Sequence, residues 1–165
     1  MAILTSGSIN PSGPFGWAKN IGEVAEFHVS GCFSEIPLDH LDRLMAQHGR
    51  FGIGFRRDFV MQRGGARVWY LDKGTALGDT LFAGVGLLLA QQDFTNPFWR
   101  LEPFIDSVVP GTHEFEWERE WRVPGGLRFN LDDVAFVILP QGDRVSFLQQ
   151  VHIEAPVVSR DPPCD

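Results

Sequence analysis

"HEFEWEREWRVPGGLRF", residues 113–129, is where the chain stops reading as helix and begins to read as sheet. Its first eleven residues crowd together four glutamates, two tryptophans and two arginines. Taken as a strand, alternation puts Phe115, Trp117, Arg119, Trp121 and Val123 on one face. Glu114, Glu116, Glu118, Glu120 and Arg122 then share the other face, where only solvent or Arg122 relieves the like-charge repulsion. Taken as a helix as far as Glu120, Trp117 and Trp121 stack at i, i+4 and Glu118 pairs with Arg122. A helix running into a strand at "EWRV" satisfies most of both patterns. The structural meaning would be a solvated acidic face with a tryptophan anchor. The chemical meaning would be that one of the glutamates is a catalyst.

Downstream the pattern is β. "RVPGGLRF" reads as two strands around a Pro-Gly-Gly turn, and "DDVAFVILP" (132–140) as a continuous apolar strand. "VSFLQQVHI" (145–153) fits a helix or a strand equally. Upstream, "CFSEIPLDHLDRLMAQHG" (32–49) carries a helix. Ser34 or Glu35 can cap it, Pro37 suits its first turn and Gly49 its exit. Leu38, Leu41, Leu44 and Met45 share one face. "RFGIGF" (50–55) is a strand whose glycines allow a close approach. "RRDFVMQRGG" (56–65) is a short helix ended by Gly64 and Gly65, and "ARVWYL" (66–71) is a strand. "TALGDTLFAGVGLLLAQQ" (75–92) reads as a mostly buried helix, and "NPFWRLEPFIDSVVPG" (96–111) as a mixed connection. Helices early and strands late favour an α+β fold over a doubly wound sheet. The expected organisation is a Gly/Ser/Pro-rich leader over 1–16, a single compact domain over 17–155 and a tail over 156–165.

The chain has 165 residues, 44% hydrophobic and 21% charged, which suits one globular core. Fourteen phenylalanines and five tryptophans against one tyrosine make that core aromatic. A net charge of −7 argues against a general nucleic-acid coat. It leaves room for a local basic site, and Arg50, Arg56, Arg57, Arg63 and Arg67 form an enrichment. Cys32 and Cys164 are the two cysteines, with no CxxC or Cys/His cluster to suggest zinc. No basic segment followed by an apolar one opens the chain. The longest apolar run, "LFAGVGLLLA" (81–90), is about half of what a spanning helix needs. A cytoplasmic protein with no membrane segment is the expectation.

Other motifs carry less. "HEFEW" begins like the zinc motif HExxH but has Trp117 where the second histidine belongs. "FGIGF" lacks the third glycine of a dinucleotide fingerprint, since Arg57 stands there. "FHVSGCFSEIP" (27–37) brings His28, Ser30, Cys32, Ser34 and Glu35 close in sequence. His28 would be the base for a cysteine or serine nucleophile, while the structural meaning is a capped helix start with a buried cysteine.

Two resemblances add a functional expectation. "CFSEIPLDHL…HGRFGIGFRRDFV" followed by "GGARVWYL", with "EREWRV…DDVAFVILP" later, resembles the AbiGi-like abortive-infection family of bacteria over roughly residues 30–73 and 114–140. That likeness implies a phage-resistance toxin–antitoxin setting, with a protein partner encoded nearby. "GARVWYL" and "EREWRVPG" are more distantly similar to the DarT-type ADP-ribosyltransferases, in which a glutamate opens a late strand. This second resemblance implies a mixed sheet with flanking helices and NAD as the cofactor consumed. It puts Glu120 in the catalytic position with Glu118 two residues before it. It assigns NAD contacts to His28, Arg56, Trp69 and Tyr70, with the arginine meeting pyrophosphate and the rings stacking on nicotinamide or adenine. Such a carboxylate stabilises the charge that develops on ribose as nicotinamide leaves. The acceptor would be protein, nucleic acid or a small molecule. The opening strand of those transferases is represented here only by "FHVS" (27–30). Two rival expectations remain: a non-enzymatic antitoxin or interaction module using the acidic aromatic surface, and a metal-dependent nuclease or hydrolase.

Overall fold

A computed structural model describes residues 2–17, 19–72, 74–108 and 116–161. The protein is a mixed α/β chain with several small sheets. Its contacts group into two compact units, where composition had suggested one domain. The first contains Met1–Ser8, Ile36–Gln62 and Arg128–Asp165; the second contains Ile9–Glu35 and Arg63–Leu127. Each unit is assembled from segments distant in sequence, so no composition shift or linker marks the division.

In the first unit the apolar run forms strand Val134–Leu139, central in a three-stranded sheet. Val137 and Leu139 on one face and Ile138 on the other are all buried, which is why its apolar residues do not alternate with polar ones. Gly52–Phe55 pairs with it antiparallel and Val157–Ser159 pairs with it parallel. The glycines face its bulkiest residues: Gly52 lies opposite Ile138 and Gly54 opposite Phe136. Helix Leu41–His48 lays Leu41 and Met45 against Ile138, with Leu44, Phe136 and Val158 around them. The chain enters that helix through a 3-10 turn at Leu38–His40 without a side-chain cap. Ser34, expected to cap it, instead ends strand Ser30–Ser34. Arg57–Gln62 is the short second helix, followed by Gly64 at φ +82°. The ambiguous "VSFLQQVHI" resolves as helix Arg144–Gln150 followed by non-helical chain.

Described residues within the expected leader and tail form secondary structure. Ala2–Ser6 is helical with Leu4 buried, and Ser8–Ile9 is a strand. Val157–Ser159 completes the sheet, and Arg160 clasps Asp42 through Nε at 2.6 Å and Nη2 at 2.8 Å. Hydrogen-bonding groups and a paired guanidinium order these polar stretches in spite of their glycines, serines and prolines.

In the second unit, strand Glu120–Pro124 is central and antiparallel to both Ser30–Ser34 and Ala66–Arg67. "ARVWYL" is not one strand. It breaks at Val68, whose N–H donates to the Glu120 carbonyl at 2.9 Å, and Trp69–Asp72 joins a second sheet. There it lies parallel to Ile105–Val108, the connection running through helix Ala76–Ala90. Thr75 caps that helix by accepting from the Gly78 N–H at 3.2 Å. The strands flanking the Pro-Gly-Gly turn join different sheets instead of forming a hairpin: Leu127–Arg128 pairs with Ser8–Ile9.

Helix Ala76–Ala90 is less covered than its apolar sequence suggests. It packs Val85, Leu88 and Leu89 on Val24 and Trp99, but Leu77, Phe82 and Leu87 are exposed. A helix apolar all round needs neighbours all round, and one core face accounts for only part of it. Among the described residues no helix is long and apolar enough to cross a membrane.

The Gly54–Phe136 contact gives a sharp test. A Cβ on Gly54 would sit 2.3 Å from the Phe136 ring. Gly54→Ala is expected to cost about 1–3 kcal/mol in urea unfolding by overpacking, and Phe136→Leu in the same chain to recover part of it. No recovery would show that the ring is not what Gly54 accommodates.

Candidate functional site

The central strand of the second unit sends Trp121 and Val123 to one face and Glu120 and Arg122 to the other. Cys32 lies opposite Arg122 and Ser34 opposite Glu120 in the ladder. The strand starts abruptly because Arg119, at φ +48°, separates it from a 3-10 turn at Glu116–Glu118. A left-handed non-glycine residue is uncommon, and here it replaces the expected smooth run from helix into strand.

Arg122 is the centre of the site, with its side chain only 2% exposed. Its Nε donates to Glu120 Oε1 at 2.9 Å and its Nη2 to Glu120 Oε2 at 3.2 Å. Nη2 also donates to Asp106 Oδ2 at 2.7 Å, and Nη1 to the Pro103 carbonyl at 2.7 Å. The Phe15 ring lies 4.5 Å from the guanidinium carbon. Burial alone would lower the guanidinium pKa. Hydrogen bonds and charge from Glu120, then Asp106, outweigh it and leave the group above its usual value.

Tyr70 and Asp106 are register partners on the two parallel strands. The Tyr70 hydroxyl donates to Glu120 Oε2 while Asp106 takes Arg122. The cluster therefore staples the two sheets of this unit together. Desolvation, then the Glu120 hydrogen bond and charge, push the Tyr70 phenol above its usual value. Cys32 keeps an exposed edge, yet its thiol meets Glu120 and Arg122. Partial desolvation first, and then the Glu120 charge, push it up to about 12. A thiol so protonated at neutral pH is a poor nucleophile, which weighs against Cys32 as the nucleophile of "FHVSGCFSEIP".

Each sequence-predicted residue has a place. Glu120 is 13% exposed and held by Arg122 and Tyr70. Glu118 is buried and accepts from Ser34 Oγ at 3.0 Å. The expected Glu118–Arg122 pair does not form, because the left-handed Arg119 breaks the helical spacing and Arg122 is committed to Glu120 and Asp106. His28 has no exposed surface and lies 2.8 Å from the equally buried Glu102. Its side chain is therefore closed to a ligand. Trp69 is half exposed and points away from Tyr70, its strand neighbour. Arg56 belongs to the first unit, where it is exposed near Asp58. His113, Glu114 and Phe115 lie outside the described residues. The opposite face of the central strand holds a separate set: Arg67 Nε donates to Glu35 at 2.9 Å, as does Trp121 Nε1 at 2.9 Å.

Asp106 was missed by sequence reasoning, since nothing in "FIDSVV" marks it before the parallel register with Tyr70 is known. The formal charges are two carboxylates against one guanidinium, so the cluster carries one excess negative charge at a largely desolvated place. Chemically that suits stabilising a cation, with Glu120 pre-oriented by two partners. Among the described residues, no group of three or more His, Cys, Asp or Glu side chains is arranged to hold a metal ion. Comparison of the chain with protein-family models, curated proteins and solved structures finds no match.

The cluster predicts an unusual thiol titration. The thiolate is disfavoured in the folded state, so stability is present below the ordinary thiol pKa and falls as pH rises from roughly 8.5 toward 12. In a Cys164→Ser background, iodoacetamide alkylation of Cys32 should stay slow through pH 10, and Glu120→Gln should move its midpoint down. An unchanged midpoint would show that Glu120 does not face the thiol.

Proposed function

We propose that the second unit is an ADP-ribosyltransferase-like effector in which Glu120 stabilises the ribosyl cation formed as nicotinamide leaves NAD. The observation carrying this reading is the excess negative charge around Glu120, whose carboxylate is held by Arg122 and Tyr70 in a largely desolvated cluster.

The fit to NAD is uneven along the molecule. Nicotinamide in NAD is a pyridinium cation, and the ribose becomes cationic as the glycosidic bond breaks. Both match the electronegative cluster. Trp69 is half exposed, but its ring points away from Tyr70 and so from the cluster. Tyr70 and Arg122 are positioning residues here, since their polar groups are spent on Glu120. His28, being fully buried, takes no part, and Arg56 is not carried over as a pyrophosphate contact. The likeness to the AbiGi-like family supports placing this activity in phage defence beside a partner protein.

The exposed apolar side of helix Ala76–Ala90 favours a second reading, an interaction or antitoxin module. Its signature is a stable complex with a second chain and no nicotinamide release.

Nicotinamide release from NAD by the purified protein, with protein and nucleic-acid acceptors supplied, tests the first reading. Glu120→Gln should reduce release by about 10²-fold or more, with the folded state retained by circular dichroism. No release from the wild-type protein would overturn the proposal.

A further inference from the structure

We infer that Ile9–Trp17 is a strap that closes over the Arg122–Glu120 cluster and opens as a unit to uncover it. Four contacts lay this segment across the second unit. Ser12 and Ser30 exchange backbone hydrogen bonds at 2.9 and 3.0 Å. The Phe15 N–H donates to the His28 carbonyl at 2.9 Å, and its ring covers the Arg122 guanidinium. Gly16, at φ +84°, is seated against Glu102, where a Cβ would come within 2.5 Å of the carboxylate. Trp17 stacks on Phe82 of helix Ala76–Ala90 at 4.5 Å between centroids.

The remaining cover of the cluster is held far more firmly. Glu120–Pro124 is bonded on both sides in its sheet, and Tyr70 and Asp106 sit in a four-residue parallel ladder. Past Ile9, which is anchored in the strand paired with Leu127–Arg128, the backbone bonds of the strap from Ser12 to Phe15 are the isolated Ser12–Ser30 bridge and the Phe15–His28 bond. Segments with few backbone bonds open at low free-energy cost while the core stays closed. Displacing Phe15 removes the ring from the Arg122 guanidinium, the group that holds Glu120. The seat at Gly16 is the fastener. Any side chain there meets the Glu102 carboxylate and the Glu102 backbone oxygen together, and Glu102 cannot retreat freely because it is packed on His28. The identity of the ligand admitted rests on the transferase reading, whereas the opening itself does not.

Hydrogen exchange followed by NMR on the full chain tests the strap. The Ser12, Phe15 and Ser30 amides should exchange about 10²-fold faster than the Val123 amide, and the Arg122 Nε–H should exchange with the strap rather than with the strand. Gly16→Ala should speed strap exchange by a further tenfold or so and leave Val123 unchanged. Phe15→Ala should expose the Arg122 Nε–H without perturbing the seat, and serves if Gly16→Ala folds poorly. Strap amides and Arg122 Nε–H exchanging together with Val123 in one step would overturn the inference. Titration with 1-methylnicotinamide decides the ligand separately: tighter binding by Gly16→Ala, lost with Glu120→Gln, supports a cation site under the strap. Exchange that obeys the strap prediction while neither protein binds the probe would count against the transferase reading alone.

Discussion

A guanidinium with 2% of its side chain exposed has to be answered on every nitrogen, and Arg122 is. An uncompensated buried charge costs several kcal/mol, so whatever surrounds Arg122 is under strong constraint. Glu120 answers it from the same face of the same strand, two residues away. Asp106 and the Pro103 carbonyl answer it from a segment far along the second sheet. The guanidinium thus dictates that Glu120–Pro124 and the chain around residues 103–106 lie together. The Tyr70 hydroxyl completes the arrangement by binding the carboxylate that Arg122 orients. Remove the charge at Arg122 and three acceptors lose their donor.

This constraint explains why Glu116, Glu118 and Glu120, close neighbours in sequence, have different surroundings. Glu120 faces Arg122 because strand periodicity puts them on one side. Glu118 lies beyond the left-handed Arg119, and binds Ser34 instead. Glu116 is exposed in the preceding turn. A carboxylate is most useful for stabilising positive charge when it is oriented in advance in a poorly solvated place, and Glu120 is the one so held. The second acid, Asp106, leaves the cluster negative in spite of Arg122.

Much of the local structure was legible in the sequence, because it rests on short-range rules. The strand at "DDVAFVILP", the helix within "LDHLDRLMAQHG", the strand "FGIGF" with its close approach and the opening of a strand at Glu120 all follow from periodicity and glycine placement. What was not legible depends on register and on contacts between distant segments. "ARVWYL" divides between two sheets because Val68 bonds to Glu120 while Tyr70 runs beside Asp106. Arg160, in the polar stretch near the end of the described residues, is held by Asp42, more than a hundred residues away in sequence. The apolar helix Ala76–Ala90 reads as buried from composition, yet its surroundings supply one core face. For the site, sequence singled out Glu120 and Tyr70, which the fold unites; it also suggested His28, which is fully buried against Glu102, and Arg56, which belongs to the first unit.

The central claim is that Arg122 and Glu120 act as one coupled pair on which the second unit depends. A double-mutant cycle in urea unfolding, using Glu120→Gln, Arg122→Gln and both together, measures that coupling directly. Contacting charged residues in one network should show an interaction free energy of about 1–3 kcal/mol, with the double variant less damaged than the sum of the singles. Additive losses, within about 0.5 kcal/mol, would contradict the account and leave Glu120 a carboxylate that Arg122 does not hold.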